Sequence, residues 1–248
     1  MILLVDAGNT RIKWGVRQAG AWLARGACPT LAVASLREEW AAYPVRRALL
    51  CCVADAATRA ALGELLALHV EQLAWLTAAP DAHGMHNGYQ PPESLGADRY
   101  AALVAAARRG LGDCVVVSVG TALTADALTA DGRFLGGAIA PGPDLMLAAL
   151  RQGTAGVREF SGKFSGIEAD FPTDTGAAVG GGVALAQAGV VAGMRERLSR
   201  HRGKPVTILL SGGARGLLAN LLEPPVVEAD DLVLEGLAWI AKDGAWDD

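Results

Sequence analysis

Met1-Ile2-Leu3-Leu4-Val5-Asp6-Ala7-Gly8-Asn9-Thr10 opens the chain, and the architecture follows from it. Ile2 to Val5 is a short apolar run that stops at Asp6, Gly8, Asn9 and Thr10. Beyond it, Ile12, Trp14 and Val16 alternate with Arg11, Lys13 and Arg17. This pattern predicts a buried strand, a tight turn and a second strand with one face inward. The turn has the makings of a phosphate site. Gly8 admits a ligand close to the backbone, and successive N–H groups in a turn form an anion-binding nest. Asp6 would repel phosphate unless a divalent cation stood between them. Mg²⁺ takes one or two carboxylates plus phosphate oxygens, so Asp6 is a candidate to orient a hydrated Mg²⁺. An ordinary hairpin turn would use the same residue types, because Asp, Gly and Asn favour turns anyway.

Working outward, Ala21–Ala27 reads as a third strand. Ser35, with Glu38 three residues on, has the signature of a capping box opening a short helix. Ala48–Val53 reads as a buried strand, Asp55 as the cap of a helix to about His69, and Gln72–Leu76 as a strand. Ala79–Ser94 reads as a loop. A helix opening at Gly96-Ala97-Asp98-Arg99 ends at Gly110. Then the pattern begins again. Cys114–Val119, Ala122–Leu128 and Phe134–Ala140 are expected strands, with turns at Gly120-Thr121 and Asp131-Gly132. A helix from Asp144, a less regular stretch to about Thr173 and a long Ala/Gly-rich helix over Gly176–Ser199 follow. Val206–Leu210 (strand), Ser211-Gly212-Gly213 (turn), Ala214–Leu221 (helix), Val226–Ala229 (strand) and Asp230–Lys242 (helix) complete the order. Both halves run strand, strand, strand, helix, strand, helix, strand. The expected class is therefore α/β, with two mixed sheets flanked by helices. The division is expected at 1–112 and 113–248. Turns at Gly8-Asn9-Thr10 and Gly120-Thr121, facing each other across a central cleft, would hold a polyphosphate.

The 248 residues allow one large domain or two small ones. A net charge of −4 and the lack of a Lys/Arg run point away from nucleic acid. No apolar run is expected to reach a membrane span, and the start lacks the basic region of a signal peptide. Cys28, Cys51, Cys52 and Cys114 form no C-x-x-C pair and read as buried thiols of a cytoplasmic protein.

Asp6-x-Gly-Asn-Thr, Gly120-Thr-Ala-x-Thr-x-Asp126 and Ser211-Gly-Gly after a strand resemble the actin-like kinase superfamily, with its duplicated ribonuclease-H-like domains. The segment Asn87-Gly-Tyr-Gln-Pro-Pro-Glu-Ser-Leu-Gly-Ala-Asp-Arg99 narrows the resemblance to type III pantothenate kinase. That resemblance implies transfer of the ATP γ-phosphoryl group to pantothenate, the first step towards coenzyme A, in a cytoplasmic homodimer. It assigns Asp6, Ala7, Gly8, Asn9, Thr10, Arg11, Ile12 and Lys13 to the first phosphate loop. Thr121 and Gly120 would meet ATP phosphate, and Gly212 and Gly213 the adenosine. Tyr89, Gly96, Ala97, Asp98 and Arg99 would bind pantothenate, with Asp98 the general base. Thr175 would reach pantothenate from the partner subunit. Ser118 stands where many members carry an Asp associated with potassium, which weakens a K⁺ or NH₄⁺ site. Leu123 replaces a usual Thr.

Blander readings stand beside these. Asp98 in a first helical turn also suits the helix dipole. Arg99 could be a solvated helix charge or a partner of Glu93, and Lys13 a soluble strand-edge residue. Asp126 could share the metal or point at solvent. His83 and His86 read as loop histidines rather than zinc ligands. Gly180-Gly181-Gly182 lacks the Lys-Ser/Thr of a P-loop and reads as close helix packing. The competing function is a non-catalytic nucleotide-binding regulator on the same fold. Asp98 and Arg99 argue against it, since a regulator needs no base. A polyphosphate phosphatase would want a basic channel that the sequence lacks.

Overall fold

The computed structural model describes residues 1–154, 156–157, 170–244 and 246. They group into two compact units, Met1–Gly110 with Asp231–Asp248, and Leu111–Asp230. Most of the irregular stretch expected before Thr173 lies outside the described residues.

In the first unit, β1 (Ile2–Ala7), β2 (Arg11–Gln18), β3 (Ala21–Pro29), β4 (Arg47–Cys52) and β5 (Gln72–Trp75) form a sheet in the order β3-β2-β1-β4-β5. β1, β2 and β3 are an antiparallel meander, while β4 and β5 run parallel to β1. β1 is central and covered on both faces, so Ile2 to Val5 are fully buried and its sequence is a continuous apolar run. One face carries a core of Leu3, Val5, Ile12, Trp14, Trp40, Leu62 and Leu66, with Trp14 and Trp40 edge to face at 6.4 Å. Asp55 caps α2 (Ala56–Ala67), accepting from Thr58 N–H at 2.8 Å, as expected. The capping box at Ser35 does not form. A 3₁₀ turn over Thr30–Ser35 already leads into α1 (Leu36–Ala41), and Ser35 Oγ donates to Ala32 O instead. The expected loop Ala79–Ser94 contains a small hairpin, β6 (Asp81–Ala82) with β7 (Met85–Asn87), and a 3₁₀ turn at Pro92–Ser94. It leads into α3 (Ala97–Arg109), which Gly110 ends in the left-handed conformation (φ 64°).

The second unit repeats the scheme. β8 (Cys114–Val119), β9 (Ala122–Leu128), β10 (Arg133–Pro141), β11 (Thr207–Ser211) and β12 (Val226–Glu228) run in the order β10-β9-β8-β11-β12. The first three are antiparallel and the last two parallel to β8. α4 (Pro143–Gly153) follows β10. α5 (Thr175–Arg202) packs Val191 and Leu198 on the core of Val117, Ala125, Ile208 and Leu210. α5 is long and apolar enough to cross a membrane by length and composition, contrary to expectation. Its packing on its own sheet marks it as a core helix. Ala214–Leu221 is not the expected helix but a single 3₁₀ turn, Arg215–Leu217. Arg215 is drawn back to Gly212 O, Glu228 and Asp230, which holds the chain in a turn. The glycine triplet of α5 does not mark close packing throughout. A Cβ on Gly182 would enter open space, and one on Gly181 would meet Pro172 at an ordinary 3.6 Å.

The last helix, α6 (Leu232–Asp243), belongs to the first unit and not, as the 112/113 division implied, to the second. The close glycine contact lies here: a Cβ on Gly236 would fall 1.8 Å from Ala101 O of α3. Arg109 pairs with Glu235, and Arg108 with Asp243.

Candidate active site

The turn between β1 and β2 is a tight hairpin. Asp6 is in register with Lys13 and Ala7 with Ile12, and Gly8 N–H donates to Arg11 O at 3.0 Å. Its far side is tied down. Thr30 Oγ1 donates to Gly8 O at 2.8 Å and Val53 N–H to Ala7 O at 3.0 Å. Asn9, Thr10 and Arg11 are exposed at the tip, where their groups can meet a ligand. Ala7 and Ile12 are fully buried in the core, so their side chains hold the turn, and any part they take in a phosphate loop is through their backbone.

Asp6 lies at the base of this turn. Burial, with the charges of Asp98 and Asp231 against the partial relief of Lys13, pushes its carboxyl up to about 7. The same neighbourhood and burial hold the Cys51 thiol well above its ordinary range, which keeps it an inert core residue. Asp98, Lys13 and Asp231 thus all act on Asp6, with two carboxylates against one ammonium. A site with excess carboxylate charge fits a divalent cation. Among the described residues no three metal-ligating side chains are close enough to hold an ion by themselves. Phosphate oxygens or water would have to complete the coordination.

Asp98 and Arg99 stand in the first turn of α3. Asp98 Oδ1 accepts from Arg99 N–H at 2.8 Å, so it does satisfy one free helix N–H. The residue remains partly exposed. A Cβ on Gly96 would stand 2.7 Å from that same Oδ1, so glycine there keeps room for the carboxylate. Arg99 is only 7% exposed, which removes the solvated-charge reading. Its Nη1 donates to Tyr89 Oη at 2.9 Å. Buried Asn87 fixes the loop that carries Tyr89, donating to Pro92 O and accepting from Tyr89 N–H. Lys13 is not a free strand-edge lysine. Its Nζ lies 2.9 Å from Asp231 Oδ1. Sequence reading missed Asp231. Its only signal was a place in the Asp230-Asp231 pair before the last helix, where an ordinary cap was the natural reading.

The second unit builds its own turn. Gly120 N–H donates to Ala122 O, and Gly142 N–H to Thr121 O, with Gly120 and Thr121 exposed. Asp126 is 2% exposed, so it does not point at solvent. Gly212 has φ +99° and would place a Cβ 2.3 Å from Val119 O, so the fold itself demands this glycine, whereas nothing crowds Gly213. Thr175 is exposed at the start of α5, after the cap made by Asp174 to Ala177 N–H. His83 meets Asp243, and His86 meets Asp81.

A turn between antiparallel strands, repeated in two β-sheet units with one sheet order, is the frame of the actin-like kinases. Solved structures share it. A 2-dehydro-3-deoxygalactonokinase fold from Sinorhizobium meliloti matches with a TM-score of 0.63 at 16% identity, covering 99% of both chains. A Campylobacter jejuni structure described as a Baf family transcriptional activator matches at 0.61 and 19%, covering 98% of both. At such identities they show the fold alone. The family is shown by sequence. The type III pantothenate kinase model matches residues 2–197. The type III pantothenate kinase of Aromatoleum aromaticum is 42% identical over 246 residues, 99% of each chain. The chain belongs to the type III pantothenate kinase family, whose members are ATP-using kinases of coenzyme A biosynthesis.

Proposed function

We propose that this chain phosphorylates the terminal hydroxyl of pantothenate from ATP, with Asp98 as general base. The observation that carries this is the gathering of Asp98, Asp6 and Lys13 at one place in the first unit, with Arg99 beside them. Phosphoryl transfer asks little covalent work of a protein beyond positioning and charge neutralisation. Asp98 takes the hydroxyl proton as the hydroxyl oxygen bonds to the γ-phosphorus and the bond from that phosphorus to the departing ADP oxygen breaks. Arg99, held by Tyr89, offers a fork of donors to the pantothenate carboxylate. Lys13 and the N–H groups of the Gly8 turn meet phosphate oxygens, and Gly120 and Thr121 present similar donors in their own unit. Asp6 would hold a hydrated Mg²⁺, which when bound neutralises phosphate charge. Gly213, uncrowded, is the glycine open to the adenosine.

Two finer points complete the reading. The chain acts as a cytoplasmic homodimer, with Thr175 serving the partner's pantothenate site. The outer face of α5 supports this: Ala178, Gly182, Leu185, Ala186 and Gly189 are exposed and uncharged. K⁺ or NH₄⁺ activation survives in weakened form, because Ser118 stands in register with the hydroxyl residues Thr124 and Ser211 but brings no charge.

The deciding experiment is ATP-dependent phosphorylation of pantothenate by the purified chain with Mg²⁺, with and without K⁺, beside Asp98→Asn. Product from the native chain and its loss in the variant is the expected result. A chain that binds ATP yet makes no product with any cation would turn attention to the regulator reading.

A further inference from the structure

Asp231 occupies the N-cap position of α6, where an aspartate ordinarily accepts a hydrogen bond from a free helix N–H. Here its side chain makes no such bond. Its two oxygens face β2 and β3 instead. Oδ1 lies 2.9 Å from Lys13 Nζ, and Oδ2 lies 3.9 Å from an Arg25 nitrogen. Asp231 therefore forgoes a helix cap to hold a lysine of the phosphate turn.

The alternative partner of Lys13 explains why this matters. Lys13 is the register neighbour of Asp6 across β1 and β2. Without Asp231 its ammonium would settle on Asp6, the carboxylate needed for the divalent cation. We propose that Asp231 is a positioning residue for nucleotide binding: it draws Lys13 off Asp6 and holds it as a preset donor for the ATP phosphates. An ammonium has three N–H donors. One goes to Asp231, and the side chain remains about one-third exposed (34%), so the others stay open to phosphate oxygens. The arrangement gives cation and lysine separate anions. The inference rests on the kinase reading of this turn and deepens it.

The test measures calorimetric binding of the Mg²⁺ complex of a non-hydrolysable ATP analogue, alongside KM values. Asp231→Asn is the central variant because asparagine can cap α6 and so keep the helix. Its Kd for the analogue should rise about tenfold, the scale of a lost charge-assisted contact, with KM for ATP following and KM for pantothenate unchanged. In a Lys13→Met background the same substitution should move Kd by less than about twofold, because Asp231 acts only through that lysine. Asp231→Glu should recover part of the affinity. An unchanged or tighter Kd in Asp231→Asn would overturn the proposal, as would an equal loss in the Lys13→Met background, which would mark a scaffold role. Failure of the native chain to bind the analogue would overturn it too. Binding without phosphorylation of pantothenate would remove only the substrate reading.

Discussion

The two units build the same turn with different electrostatics. In the first, Thr30 N–H after β3 donates to Thr10 O; in the second, Gly142 N–H after β10 donates to Thr121 O. Val53 N–H after β4 reaches Ala7 O, and Ala214 N–H after β11 reaches Val119 O. Two residues before each turn glycine, however, the first has Asp6 and the second Ser118. Across the strand from them stand Lys13 and Thr124. One backbone frame thus carries a charged set in one unit and a neutral set in the other. On the proposed reading, the frame alone supplies donors to phosphate, and the charged copy adds a place for a cation and, through Asp98, a base.

The largest effect should come from the charged copy. Asp98→Asn should lower kcat by ~10²–10⁴-fold, the usual worth of a general base, while analogue binding by calorimetry persists. Near-normal turnover would break the assignment.

Asp6→Asn tests the charge itself. A carboxyl held near 7 in the folded chain, against 3.8 ordinarily, keeps its proton in the fold and releases it on unfolding. Its contribution to stability is thus full below about pH 4 and is lost as pH rises through about 7. In denaturant titrations without metal, the native chain should therefore lose stability over that window, by a few kcal/mol at most. Asp6→Asn should flatten the slope. Mg²⁺ should bind the native chain more tightly from pH 6 to pH 8, with little pH dependence left in the variant.

The neutral copy is expected to be more exacting in its packing. Gly142→Ala would set a Cβ 2.0 Å from Gly120 O, whereas Gly8→Ala would meet Arg11 O at 3.2 Å. Calorimetric melting should show Gly142→Ala destabilised by about 1–3 kcal/mol and Gly8→Ala by less. The smallest effect is expected from Ser118→Asp, which makes the second turn resemble the first. Activity titrated with K⁺ should then saturate at lower concentration, with kcat at saturating K⁺ little changed.

Much of this was legible because local chemistry and tertiary structure agree. The apolar run of β1 meets a central strand, Asp55 caps the helix it precedes, and Gly110 ends α3. Where they disagreed, a competing contact won. Ser35 was taken out of its capping box by a 3₁₀ turn already in place. Arg215 and its acidic partners stopped a helix that Ala214–Leu221 would favour locally. Within the candidate site, Asp6, Asp98 and Arg99 were singled out by motif. The burial of Asp126 and Arg99, and the tie between Lys13 and Asp231, depend on residues up to 218 positions apart and leave no local pattern.

The return of α6 to the first unit has a consequence for how the protein is made. α3 lies against α6 through Gly236, and Lys13 finds its partner at the start of α6. The ribosome therefore delivers every strand and helix of the second unit before it delivers the segment that completes the first. The second unit can fold while the first waits, and the pairing of Lys13 with Asp231 comes into being late, when α6 packs on residues made at the beginning.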